Sequence, residues 1–110
     1  MIVVLARITV KPDERERFLE LVKGVSAPSR AEAGCLAYRG YFDAEEPDEF
    51  IFVERWESVD ALREHFGMAH FGEFAAALPD VIEGEPDVQV YDIASTVDMV
   101  AVEAAAGADA

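Results

Sequence analysis

Residues 50–57 carry large apolar side chains on both faces of one extended segment. Phe50, Phe52 and Trp56 alternate with Ile51 and Val53, and Glu54 sits among the rings. Successive side chains of a strand point to opposite faces, so this strand needs cover on both sides. A chain of 110 residues makes one domain. One domain of this size has few ways to cover both faces of a sheet, and that limits the folds available.

The rest of the chain supplies the partners. Ile2 to Val10 is rich in β-branched residues and predicts a first strand. Lys11-Pro12-Asp13 then opens a helix whose Phe18, Leu21, Val22 and Val25 recur at helical spacing. Pro28 is expected to kink or break that helix, with a last turn reaching Glu32 and Ala33-Gly34 closing it. Cys35 to Phe42 and Phe50 to Glu57 read as a hairpin around a polar turn containing Pro47. Ser58 is a suitable N-cap for the next helix. Val59, Leu62 and Phe66 form one stripe there; after Gly67, Phe71, Phe74, Ala75 and Leu78 form another, ended by Pro79-Asp80. Val81 to Ile93 contains a fourth strand, with Val88, Val90 and Tyr91 in it. Residues 1–94 are thus expected to form the folded domain, and residues 95–110 an Ala-rich tail that is either a short helix or frayed.

The order β-α-β-β-α-β predicts an α+β, ferredoxin-like domain with an antiparallel sheet, strand one lying between strands three and four. Both helices then cover one sheet face. Ile51 and Val53 are assigned to the helix side, which leaves Phe50, Phe52 and Trp56 on the bare side. A bare apolar patch of several hundred Å² calls for cover, and a homodimer, a dimeric α/β barrel enclosing an apolar cavity, provides it.

Composition narrows the partners. A formal net charge of −14 argues against nucleic acid and against anionic membrane surfaces. No stretch approaches the length of a membrane span, and Arg7 interrupts the apolar N-terminus, so no secretory signal is expected. Cys35 is the one cysteine, which excludes an intrachain disulfide and suits a reducing, cytoplasmic setting. Lys11-Pro12-Asp13 occupies the turn where a Gly-rich dinucleotide loop would follow strand one. His65 and His70 are five apart across a glycine rather than four apart on one helix face, so neither a metal nor another cofactor is expected.

The chain resembles the antibiotic biosynthesis monooxygenase superfamily of dimeric α/β barrels over roughly residues 2–93. The resemblance rests on Ala6-Arg7-Ile8 with Lys11-Pro12, Ser29-Arg30 with Gly34-Cys35-Leu36 and Tyr38, then Phe50, Glu54 and Trp56, and last His65, His70 and Phe71. It implies a cofactor-independent oxygenase that converts a phenol or quinol with O2, the substrate itself supplying the electrons. The superfamily also contains haem-degrading oxygenases and isomerases of small signalling molecules. The axial histidine of the haem degraders falls at or near Ala75 here, so no haem ligand is expected. The polar residues of the phenol oxygenases on strands two and three are replaced by Tyr41 and Phe52, and Trp56 alone carries over. A non-catalytic small-molecule-binding barrel and an isomerase stand as alternatives.

The candidate residues follow. His65 lies at the edge of its helix stripe and is either a general base at the cavity mouth or a helix-edge histidine that fixes a neighbour. His70 lies off the stripe and suits capping or loop fixing. Trp56, Phe52, Phe50 and Tyr41 are the candidate ring-stacking walls for an aromatic substrate, or ordinary interface core. Arg7 and Glu54, on neighbouring strands, are expected to pair as an interior ion pair on the barrel side of the sheet. Cys35 reads as packing rather than as a nucleophile.

Overall fold

The computed structural model describes residues 1–109. Its strands and helices run β1 (Ile2–Val10), α1 (Arg15–Arg30), β2 (Cys35–Phe42), β3 (Glu49–Trp56), α2 (Val59–Phe66), α3 (Ala69–Ala77), β4 (Ile82–Asp92) and α4 (Met99–Asp109). The sheet order is β2-β3-β1-β4, antiparallel throughout. This is the expected ferredoxin-like frame, with the second helix divided into α2 and α3 at Gly67-Met68 and with α4 added in the tail. The end of the tail, Ala110, lies outside the described residues. No helix among the described residues is long and apolar enough to cross a membrane.

Pro28 does not break α1. The helix runs on to Arg30, and the Ala31 N–H bonds back to the carbonyls of Ala27 and Pro28. Proline removes the donor that would have reached the Gly24 carbonyl. Gly24 and Ala27 are exposed, so water can take that carbonyl, while Val25, Ser26 and Ser29 hold the other side of the helix in the core.

The two faces of the sheet are the reverse of the sequence expectation. Phe50, Phe52, Glu54 and Trp56 are buried beneath the helices together with Ile2, Val4, Ala6, Ile8 and Val10 of β1. Phe18 of α1 meets Phe50 edge-on at 4.8 Å between ring centroids, and Phe74 of α3 meets Phe52 at 5.6 Å. The opposite face carries Val3, Leu5, Ile51 and Val53, half-buried, with Arg7, Arg39, Tyr41 and Arg55 exposed. The reason is volume: rings of 150–250 Å² each bury best where helices can close over them. The small Gly40 of β2 belongs to the same packing, because a Cβ there would strike the Phe50 ring.

β4 departs from regular pairing beside Arg7 and Thr9, where Asp87 and Glu83 are the successive partners. The extra residues form a bulge around Gly84, whose φ of 63° lies in the left-handed region that glycine tolerates. Beyond the bulge, Val88 and Val90 share the inner face with Ala6 and Val4 but lie at the sheet edge and are exposed.

Candidate active site

A cavity of about 660 Å³ opens between the inner sheet face, α2–α3 and the β4 bulge. Val4, Ala6 and Ile8 form its floor, and Phe52, Phe74, Leu78 and Ile82 its apolar walls. Tyr38, Glu54 and His65 line it as well and supply most of its polar chemistry. Phe66 and Val88, both about half exposed, stand at the rim.

His65 is set by the way α2 begins and ends. The Ser58 side chain accepts the Ala61 N–H at 3.1 Å and starts the helix. His65 then falls in the last turn, one turn after the buried Leu62, and not on the exposed Val59–Phe66 line that apolar spacing suggests. Its ring is 1 % exposed. It lies 4.6 Å from the Trp56 ring, 5.1 Å from Phe71 and 5.5 Å from Tyr38.

Glu32 reaches this ring from the connection between α1 and β2. Its backbone is held by bonds to Ser29 and from Cys35, and Gly34 permits a close approach to Ala61 of α2. Glu32 Oε2 lies 2.7 Å from His65 Nδ1 and 2.9 Å from His70 Nε2. The carboxylate is 8 % exposed and His70 19 %. An ionised carboxylate only accepts hydrogen bonds, so His65 Nδ1 carries the hydrogen, and in the neutral ring Nε2 keeps its lone pair. Burial lowers the pKa of His65 below the ordinary histidine value, against the opposing pull of Glu32. The ring is therefore mainly neutral at pH 7; Nδ1 is held by Glu32, Nε2 makes no hydrogen bond among the described residues, and the residue lines the cavity.

Glu54 accepts the Trp56 indole N–H at 3.0 Å through Oε1. Burial pushes its pKa up to about 7, the Trp56 bond opposes, and the charge of Glu32 adds to the rise. Tyr38 is pushed up by burial and by Glu54, so its phenol keeps its proton. The half-buried Cys35 thiol is also raised, mainly by burial, and stays protonated.

The other sequence candidates are distributed differently from expectation. Phe52, Glu54 and His65 line the cavity. Trp56 is fully buried behind them, against His65, and Phe50 packs among Phe18, Phe42 and Phe52. Arg7 and Tyr41 lie on the opposite face of the sheet, where Arg7 pairs with Ile51 and Ile51 with Tyr41 in register. The expected Arg7–Glu54 ion pair is thus absent: Glu54 pairs with Val4 on the inner face and meets the cost of burial by an indole hydrogen bond and a raised pKa. Glu32 was missed. It sits in Ala31-Glu32-Ala33-Gly34, which has no periodicity, and nothing local marks it as the partner of residues 33 and 38 positions later. Glu32, His65 and His70 also offer donor atoms all within 4.8 Å of one another.

The sequence model of the family described as antibiotic biosynthesis monooxygenase matches residues 1–77. The "Uncharacterized protein sll1783" of a Synechocystis strain is 40 % identical over 95 residues, which is 86 % of this chain and 65 % of that relative. The chain therefore spans a little under two thirds of that relative's length. The "Putative monooxygenase YcnE" of Bacillus subtilis is 35 % identical over 80 % of this chain and 93 % of its own. Among solved structures, that of Rv0793 from Mycobacterium tuberculosis superposes with a TM-score of 0.83 at 30 % identity, covering 88 % of this chain and 98 % of that one.

Proposed function

The chain belongs to the antibiotic biosynthesis monooxygenase family, and from that premise we propose that it is a cofactor-independent monooxygenase that oxidises a phenol- or quinol-type substrate with O2, working as a homodimer. The observation that carries this reading is a neutral imidazole, held by a buried carboxylate, facing an apolar cavity of about 660 Å³. Cavities of roughly 300–1,000 Å³ suit ligands of one to several rings.

The ring lies against Phe52 and Phe74, with its hydroxyl toward His65 Nε2. His65 takes the hydroxyl proton, and Glu32 holds the imidazolium that forms, the role a carboxylate plays behind a histidine base. The phenolate gives its electrons to O2, and a C–O bond forms at the ring carbon opposite the oxygen. The O–O bond then breaks. One oxygen stays as the second carbonyl of a quinone. The other leaves as water with the two hydrogens lost from the hydroxyl and the ring carbon. Glu54, which also lines the cavity, relays a proton. In its protonated form it gives one to the departing oxygen and then takes up the one lost from the ring carbon, so the two hydrogens of the water are still those of the substrate. Apolar walls keep bulk water from the anion.

Oxygen uptake with a panel of quinols and polycyclic phenols tests the reading. One O2 consumed per quinone formed is expected, with His65→Ala slower by roughly 10² to 10⁴. Substrates that bind without any oxygen uptake would overturn the oxygenase and leave a binding protein. The dimer reading is supported by the half-buried Val3, Leu5, Ile51 and Val53 on the sheet face opposite the helices.

A further inference from the structure

Glu32, His65 and His70 come from three separate elements and converge on one point. Both rings address the same carboxylate oxygen, Oε2. The other oxygen, Oε1, is buried and has no hydrogen-bond partner among the described residues, on a side chain that is 8 % exposed. A buried carboxylate oxygen left without a partner normally costs stability. Two imidazole nitrogens and a carboxylate form the donor set that first-row divalent metals favour.

We propose that Glu32, His65 and His70 form a binding site for a divalent transition-metal ion of the zinc or cobalt type, and that the bound ion switches off the base of the proposed oxygenase. The inference rests on that reading only in its second half. The donor atoms lie 2.7 to 4.8 Å apart. A tetrahedral ion with bonds of about 2.0 Å needs edges of about 3.3 Å, so small side-chain rotations suffice. When the ion binds, the ring hydrogen of each histidine sits on the far nitrogen, Nε2 of His65 and Nδ1 of His70, which frees the lone pairs of His65 Nδ1 and His70 Nε2. The ion takes the two freed lone pairs and one carboxylate oxygen, Oε1, which so gains a partner. Water fills the remaining position. His65 Nε2 then carries a hydrogen toward the cavity and can no longer accept the substrate's proton. His70, 19 % exposed, gives the ion its way in. The groups facing the site from neighbouring elements are Tyr38 and Cys35 of β2, Glu54 of β3 and Arg30 at the end of α1. Two of these, Cys35 and Tyr38, stay protonated, and none is positioned as a competing ligand.

The test is cobalt titration of the full chain, read by visible absorption, with zinc as competitor. One equivalent of Co2+ should give the intense bands of a four-coordinate site, and zinc should abolish them. Surface carboxylates give only weak six-coordinate absorption. Glu32→Gln and His70→Asn should each weaken cobalt binding at least tenfold, with thermal melts confirming that both variants fold. Absence of the intense bands, or bands unchanged in both variants, overturns the site. This readout needs no substrate, so it stands or fails apart from the oxygenase. Zinc should then lower oxygen uptake in proportion to site occupancy; full uptake at saturating zinc would refute the switch.

Discussion

His65 and Glu54 are two titratable groups in one cavity whose surroundings push them in opposite senses, a pattern that marks acid–base assignments. Burial lowers the imidazole and raises the carboxyl, so near neutral pH His65 is mainly neutral and Glu54 is close to half protonated. The consequence for stability has two signs. His65 titrates lower in the folded state than its ordinary 6.5. The unfolded chain therefore takes up the proton first, and stability falls as pH drops below that value. Glu54 titrates near 7 in the fold against an ordinary 4.5. Its contribution is complete below 4.5 and is lost as pH rises through 7, on the order of 3 kcal/mol for a side chain this buried. Glu54→Gln should remove the alkaline loss and be more stable than the parent well above neutral pH, as read from denaturant midpoints across pH. Equal pH profiles for the two proteins would show that Glu54 ionises normally. Behind the cavity wall, Glu32→Gln should keep a hydrogen-bond acceptor for the histidines yet lose the charge that, in the proposed reaction, holds the imidazolium. Its turnover should fall at least tenfold with little change in KM, because that charge acts only once His65 has taken the proton.

Elements were more legible in the sequence than the contacts between them. All four strands, the hairpin, the Ser58 cap and the interruption at Gly67 follow from local patterns, because propensity, turn chemistry and spacing agree there. What was not legible is which face of β3 turns inward. Both faces are apolar, so period-two alternation gives the register but not its sense. The helices decide it by supplying Phe18 and Phe74 as partners for the larger rings. The same error displaced Arg7 and Tyr41 from the expected site, since both follow the outer face. The stripe of α2 misled for a related reason. Val59 and Phe66 are exposed, and a polar residue, His65, takes the buried position because Glu32 arrives from elsewhere to satisfy it. The approach of that loop is itself testable. Gly34→Ala would place a methyl group against Ala61, forcing the loop that carries Glu32 away from α2. Overpacking of this kind costs about 1–3 kcal/mol. The variant should lose stability and shift the His65 ring resonances, whereas Gly24→Ala, which meets nothing within 4 Å on an exposed helix position, should be stabilised by roughly 0.5–1 kcal/mol. Unchanged His65 resonances in the folded Gly34→Ala protein would show that the loop does not set the ring.

At the scale of the whole molecule, one sheet face is closed by helices and the other is not. Val3, Leu5, Ile51 and Val53 form a half-buried strip across the two central strands, with Leu5 directly opposite Val53. Arg7, Arg39 and Arg55 surround it. An apolar centre with arginines at its margin is a composition that protein interfaces favour. A second copy placing the same strip against this one would satisfy both by twofold symmetry. The chain should therefore sediment at about twice its mass of 12.1 kDa. Val53→Lys puts a charge in the middle of the strip, where a twofold axis would bring two such charges close together. Desolvating them would outweigh the gain from the surrounding contacts. The neighbours Phe52 and Glu54 point to the opposite face and are buried there, so the inner core and cavity should survive, as judged by an unchanged near-UV spectrum of Trp56. The variant is expected to sediment as a folded monomer, destabilised relative to the parent in a concentration-dependent way, because a dimer's stability depends on protomer concentration. A parent chain that sediments at 12.1 kDa across the micromolar range would remove the second copy from the account and leave the outer strip to be explained by the chain alone.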